Sequence, residues 1–202
     1  MKKLIVYFIL LIIIAILGVF YLQGRLTPVT DKFVESKAKY IGNKIINDNI
    51  LQMLADAPPE EFFILGKNNE GRIISATTNT AAMNSFKSQL HNRLNEGFGD
   101  ISNSSFGIPI LNIIGADWMS GWGPSVYVRL LYNGNIEADF ENEFMAAGIN
   151  QTKHIIYINT KAEVWAVVSG RQILCQIENR MPIAETVIMG DVPNVFLNGL
   201  GR

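Results

Sequence analysis

The sequence contains a single cysteine, Cys175, and only two histidines, His91 and His154. One cysteine excludes an intramolecular disulfide framework and any Cys-rich zinc or iron–sulfur site, and two histidines leave little material for a histidine metal site. Glycine-rich phosphate-binding loops of the Walker or Rossmann form are also missing from the sequence. We therefore predict no cofactor, no metal and no catalytic residue.

Excess charge of either sign is missing too. The 202 residues carry 17 Lys and Arg against 18 Asp and Glu, a formal net charge of −1. Nucleic-acid-binding proteins usually show a concentrated basic excess, so we predict no nucleic-acid partner. The hydrophobic fraction of 49% excludes an intrinsically disordered chain. The length fits one folded domain with an appendage.

The most conspicuous feature present is an apolar run near the N-terminus. Nineteen residues, Leu4–Leu22, contain no charge and no proline. As a helix they would span roughly 28 Å, close to the thickness of a bilayer core. A cleaved signal peptide is the competing interpretation, but its apolar region is usually shorter and ends in small residues. The run ends instead at Phe20-Tyr21-Leu22, which predicts an uncleaved transmembrane helix.

The charges flanking this run predict the topology of the protein. Lys2 and Lys3 precede the run, and the positive-inside rule places them in the cytoplasm. The remaining fifteen basic and eighteen acidic residues would then lie outside, in an extracytoplasmic domain. We predict a cytoplasmic tail (1–3), a transmembrane anchor (4–22) that contacts membrane lipid, and an extracytoplasmic domain (27–198).

Helical periodicity dominates the first half of that domain. Thr27-Pro28 resembles a helix start, and Ala57-Pro58-Pro59 ends the apolar stripe that follows it. A turn-rich hairpin is predicted over residues 62–75. A second helix is predicted from four apolar residues at helical spacing: Met83, Phe86, Leu90 and Leu94. It is expected to end before Gly97 and Gly99.

Alternation with period two dominates the second half. Apolar residues alternate over 126–140, and Asn133-Gly134 within this segment is a strong hairpin signal. A long strand from His154 to Val168 is followed by a turn at Ser169-Gly170, a strand over 173–177 and a last strand over Ile183–Met189. The predicted fold class is α+β: an N-terminal transmembrane helix, then helix–hairpin–helix packed on an antiparallel sheet meander.

Few side chains offer chemistry. His154 lies near Asp139 and Glu143 in sequence, and a histidine–carboxylate pair can act in acid–base catalysis. Because no nucleophile motif accompanies it, we favour a polar residue at a strand entrance. Asp139, Glu141 and Glu143 share one strand face and fit either a calcium or magnesium site or, as we prefer, a solvated acidic face. The alternating position of Cys175 predicts a buried structural thiol.

The segment from Ile108 to Trp122 is unusually apolar. The default interpretation is an additional strand in the core. The alternative is an exposed apolar patch that meets a partner or contacts lipid.

Three groups of motifs carry a resemblance to a known family. They are Glu70-Gly71-Arg72-Ile73 with Thr77-Thr78-Asn79-Thr80; Asp139-Phe140, Glu143-Phe144 and Ala147-Gly148-Ile149-Asn150-Gln151-Thr152-Lys153-His154; and the stretch from Pro182 to Pro193. Over about Val29–Asn198 the chain resembles the sporulation protein YunB family. The resemblance implies a membrane-anchored protein needed for spore formation, with no established enzymatic activity and no catalytic residues to carry over.

Two functions therefore compete. The first is a non-enzymatic structural or assembly protein, in a forespore or mother-cell membrane, whose external domain binds an unidentified sporulation protein. The alternative is a cell-wall or spore-cortex enzyme that uses His154 with a nearby carboxylate. Homo-oligomer formation stays open. Loops that follow apolar segments commonly display binding residues, so the predicted partner-binding residues are Asn150, Gln151, Thr152, Asp191 and Asn194.

Overall fold

A computed structural model of the chain describes residues 2–56, 58–102, 104–109, 123–148 and 150–189. The helices are α1 (Lys2–Asp56), a short 3-10 helix (Pro59–Phe62) and α2 (Thr80–Ile101). The strands are β1 (Phe63–Lys67), β2 (Ile73–Thr78), β3 (Ser105–Pro109), β4 (Ser125–Gly148), β5 (Gln151–Val168) and β6 (Arg171–Met189). The predicted α+β class is confirmed.

The strands form two sheets. β1 and β2 pair as the predicted antiparallel hairpin, and the larger sheet has the order β3-β4-β5-β6. β3 pairs antiparallel with the first residues of β4, from Ser125 to Arg129. Two-residue links join β4 to β5 and β5 to β6, so the larger sheet is the predicted antiparallel meander.

The chain divides into two compact units. The first contains the residues up to Gly42, Phe98–Gly134 and Glu163–Gln176, and the second contains Asn43–Gly97, Asn135–Ala162 and the residues from Ile177 onward. Each of the three long strands contributes residues to both units. In the first unit Arg171 forms a bidentate ion pair with Asp31, each bond 2.9 Å long. In the second, Asn179 of β6 donates to the side chains of Asn43 and Asn47 on α1.

The predicted start of the first helix is wrong. α1 runs continuously through Thr27 and Pro28 instead of beginning there. Pro28 removes one backbone hydrogen bond, which typically costs ~3 kcal/mol. Helix propagation is cooperative, however, and the helix-forming residues on both sides carry α1 through the proline. The predicted end is confirmed, since α1 stops at Asp56 before Pro58.

The fold does not demonstrate the predicted transmembrane helix. Among the helical residues that the structure describes, none form a stretch both long and apolar enough to cross a membrane. The predicted span, Leu4–Leu22, lies partly outside the residues whose side chains are described.

The second helix is confirmed with a corrected end. Met83, Phe86, Leu90 and Leu94 are all buried, as their spacing predicts. Asn79 caps the helix, because its side-chain oxygen accepts from the backbone N–H of Ala82. The helix continues past Gly97 and Gly99 to Ile101. Gly97 is a close-approach site rather than a terminator: a Cβ there would lie 3.0 Å from Ile45 Cγ2.

Two predicted breaks in the sheet are also wrong. β4 continues through Asn133-Gly134, where Gly134 takes a φ of 80° within the strand. β6 continues from Arg171 to Met189 through Pro182, so the two predicted strands are one. Proline is tolerated there because β6 is an edge strand, which leaves one side of the ladder unpaired.

The interior of the sheet follows the predicted alternation. Every second residue of β5 is buried, including Ile156, Ile158, Ala162, Val164, Ala166 and Val168. Ile108 of β3 is buried, which confirms a core strand at the start of the apolar segment; residues 110–122 lie outside the described part of the chain. Cys175 is fully buried, and burial together with Glu35 raises the pKa of its thiol to about 11.

Candidate functional site

The β4–β5 turn carries three of the five predicted partner-binding residues. Gly148 and Asn150 adopt positive φ values of 152° and 59°. Glycine and asparagine tolerate this region of backbone space better than other residues, so these two residue types allow the sharp reversal. Asn150, Gln151 and Thr152 are all exposed at the turn. The structure therefore presents their polar side chains to solvent.

The other two predicted residues, Asp191 and Asn194, lie outside the described residues. The described part of β6 nevertheless has a definite direction relative to β5. Ion pairs join Lys161 to Glu178 and Lys153 to Glu185, as expected when two neighbouring strands run antiparallel. β6 therefore runs toward the end of the sheet at which β5 begins.

His154 is buried in an aromatic environment rather than placed in an open site. Its side chain is 2% exposed. Its ring stacks on Phe144 at a centroid distance of 4.1 Å and meets the edge of Phe63 at 5.2 Å. Nε2 lies 2.9 Å from Asn142 Oδ1, so the ring N–H donates to the amide oxygen. Burial lowers the pKa of His154 below its ordinary value, which keeps the ring neutral at pH 7.

The carboxylates predicted as partners of His154 are paired elsewhere. Asp139 forms an ion pair with Lys87 of α2, and Glu143 accepts a 2.9 Å bond from Arg180. Strand alternation explains the separation, because odd-numbered residues of β4 face away from the side on which His154 lies. The structure thus does not bring His154 together with Asp139 or Glu143.

Sequence reasoning missed Asn142 and Phe144, although the sequence contained a signal for them. Both have the same strand parity as Ile136 and Ala138, which belong to the apolar alternation predicted over 126–140. Extending that alternation along β4 places the two side chains on the face of His154.

The acidic face of β4 is partly neutralised by a basic side chain. Arg180 of β6 bonds to both Glu141 and Glu143 and lies over the ring of Tyr157, 3.6 Å from its centroid. Hydrogen bonds from Asn159 and Arg180 lower the pKa of Glu141. Within the described ranges, no cluster of His, Cys, Asp and Glu could hold a metal ion. The acidic residues therefore form a salt-bridged surface.

A cleft of about 520 Å³ separates α2 from β4. The helix contributes polar and basic side chains, and the strand contributes four consecutive residues. These are Asn84, Lys87, Ser88, His91 and Asn92 of α2 with Ile136, Glu137, Ala138 and Asp139 of β4. Consecutive strand residues point to opposite faces of a sheet, so a cleft that touches all four lies along the edge of β4.

The fold and these geometries define an α+β protein with a long antiparallel sheet, a solvent-exposed turn and an open strand edge beside a helix. The family model described as Sporulation protein YunB matches residues 105–195 of this chain. The chain is also similar to Sporulation protein YunB of Bacillus subtilis (strain 168), with 23% identity over 191 residues that cover 89% of this chain and 75% of the relative. The resemblance predicted from the motifs is confirmed. No solved structure matches the chain.

Proposed function

We propose that this chain is a membrane-anchored, non-enzymatic assembly protein of sporulation that acts through protein–protein contacts of an extracytoplasmic domain. The observation that carries the sporulation role is the similarity to Sporulation protein YunB over most of the chain. The match of residues 105–195 to the family model supports the same role for the sheet, because that range includes β3 to β6.

Exposed apolar side chains on α1 support the membrane anchor. Ten large apolar residues between Tyr7 and Leu17 are exposed, among them Phe8 and Leu11, each at 65%. They lie on all sides of the helix, whereas a helix packed against a sheet exposes only its polar face. Hydrocarbon is the environment that such a surface fits. The basic pair Lys2-Lys3 supports a cytoplasmic N-terminus, in a forespore or mother-cell membrane.

The anchor predicts that the whole chain stays with the membrane fraction after an alkaline wash. Replacing Leu11 and Ile14 together by lysine should release it, because each lysine at the centre of a span costs about 2.5–3.5 kcal/mol. Leu51→Lys is the matched control, since Leu51 is an exposed apolar residue of the same helix outside the run. Recovery of a soluble mature chain that begins after Leu22 would contradict the proposal.

The β4–β5 turn supports a contact with another protein. Its polar residues are exposed at the end of a rigid sheet, and such segments commonly carry binding residues. Asn150 holds the turn through its positive φ, so Gln151 is the better residue to change. With Thr152, and with Asp191 and Asn194 beyond the described residues, it forms the proposed contact surface.

Gln151→Ala combined with Asn194→Ala should reduce the yield of a crosslinked partner in sporulating cells. The melting temperature should stay nearly constant, because surface substitutions usually change stability by less than about 0.5 kcal/mol. Gln172→Ala with Asn133→Ala is the control, since both residues are exposed and lie outside this turn. A lower melting temperature with an unchanged crosslinking yield would show that the turn residues are only structural.

The alternative of a wall or cortex enzyme is not favoured by the site. His154 is buried against Phe63 and Phe144, and its ring N–H is directed to an amide rather than to a carboxylate. A general acid or base must reach its substrate within hydrogen-bonding distance. The described surroundings of His154 offer a substrate no such access.

A further inference from the structure

Within the described residues, no strand pairs with the outer edge of β4 over its second half. Of the strands that the structure describes, only β3 lies beside this edge, and its pairing covers Ser125–Arg129. The edge formed by residues 136–148 therefore presents backbone N–H and C=O groups that a further strand could pair with.

The two edges of the sheet differ in how they are protected. β6 carries Pro182, which cannot donate to an added strand, and the basic residue Arg180. Residues 136–148 of β4 contain no proline, lysine or arginine. Proline and lysine commonly block exposed edges. Residues 136–148 carry acidic side chains instead, so this edge is a candidate for binding a segment of opposite charge.

α2 lies beside the β4 edge, and the two elements enclose a groove. The cleft between α2 and β4 holds about 520 Å³ and runs beside Ile136–Asp139. Four extended residues occupy a length of ~14 Å. An extended peptide in such a groove forms main-chain hydrogen bonds with the edge strand and side-chain contacts with the helix.

Charge determines which peptide fits. Four carboxylates occur at every second position of the edge segment: Glu137, Asp139, Glu141 and Glu143. Lys87 and Arg180 neutralise part of this charge, and the surface keeps a negative excess. A second copy of the same edge would bring like charges together, which is destabilising across paired strands. The complementary partner has basic side chains at alternate positions.

We propose that the β4 edge, residues 136–148 with the adjoining α2 cleft, binds an extended segment of another protein that alternates basic and apolar residues. The basic side chains meet the acidic face of β4. The exposed side chains of Phe144 and Met145 supply apolar contact near the end of the strand. This surface adjoins the β4–β5 turn but does not include Gln151 or Thr152.

The test uses the full-length chain in non-ionic detergent and a fluorescent octapeptide of alternating lysine and valine. Saturable binding is expected, with hydrogen-exchange protection of residues 136–148 and none in β6. An alternating glutamate–valine peptide should bind about tenfold more weakly. A lysine–valine peptide methylated on alternate backbone nitrogens should also bind with about tenfold lower affinity, because it cannot form all the main-chain hydrogen bonds to the edge strand.

Charge reversal provides the matched variants. Glu137→Lys should weaken binding of the lysine peptide about 5–10-fold. Glu178→Lys changes another exposed carboxylate, on β6, and should leave the affinity within about twofold. Equal binding of the methylated peptide, or protection confined to other strands, would overturn the proposal. Crosslinks between the β4 edges of two copies would overturn it in favour of a homo-oligomer.

Discussion

Replacing His154 by alanine is expected to lower the free energy of unfolding by about 2–5 kcal/mol, the range of large-to-small changes in a packed core. The ring fills the space between Phe63 and Phe144 and is almost fully buried. Alanine would leave a cavity there and remove the hydrogen bond to Asn142. Chemical denaturation of the two proteins measures the difference. A loss below ~1 kcal/mol would contradict the packing described above.

The informative variant for function is His154→Phe, because it keeps an aromatic ring in the stack and removes both ring nitrogens. Asn142 is exposed and can turn its amide to water. We expect spore formation close to that of the unchanged chain. Loss of an essential acid or base would reduce a reaction rate by about 10²–10⁴-fold. A sporulation defect of that size, with the variant folded at normal abundance, would support the enzyme hypothesis.

His154→Phe also separates the effect of ring packing on stability from the effect of ring protonation. Burial lowers the pKa of His154 in the native state, so the unfolded chain binds a proton more readily than the folded chain. Neutral His154 makes its full contribution to the free energy of unfolding above about pH 6.5. This contribution is lost as the pH falls from there toward the lower native pKa. The slope can reach ~1.4 kcal/mol per pH unit for one proton. His154→Phe should flatten this part of the stability profile, and an identical slope in both proteins would refute the assignment.

Cys175 is expected to react with a thiol-specific dye at least about 10²-fold more slowly in the native chain than in the denatured chain. The thiolate is the reactive form, and burial together with Glu35 raises its pKa to about 11. At pH 8 a rise of two units from the ordinary value of 9.0 lowers the thiolate fraction about 100-fold. Full burial of the side chain slows the reaction further.

The matched control places the cysteine one residue later in β6. Gln176 is exposed and follows Cys175 on β6, with its side chain on the opposite face of the sheet. Gln176→Cys in a Cys175→Ala chain should therefore react at the rate of an ordinary exposed cysteine. Similar native rates at the two positions would show that residue 175 opens to solvent far more often than a core strand does.

The open edge of β4 and the exposed β4–β5 turn lie on the same strand, and neither depends on a conventional active-site motif. Residues 136–148 supply the edge, and residues 148–152 supply the turn. The proposed assembly role would use surfaces of this kind, because extended strands and polar turns can bind other proteins without a chemical reaction.

The sequence by itself determined the features that depend on local periodicity and on backbone freedom. The spacing of Met83, Phe86, Leu90 and Leu94 sets the buried face of α2, and the alternation from Ile156 to Val168 sets that of β5. Gly170, which tolerates positive φ, located the tight turn between β5 and β6. These features need no knowledge of distant residues.

Only the tertiary structure decided where elements continue and which side chains meet. Pro28, Gly134 and Pro182 each carry a local signal for a break, yet α1, β4 and β6 pass through them. Packing and strand pairing over long elements outweigh a single turn or cap signal. His154 bonds to Asn142 rather than to Glu143 for a related reason. Proximity in sequence does not establish which residues share a face, whereas the pairing of β4 with β5 does.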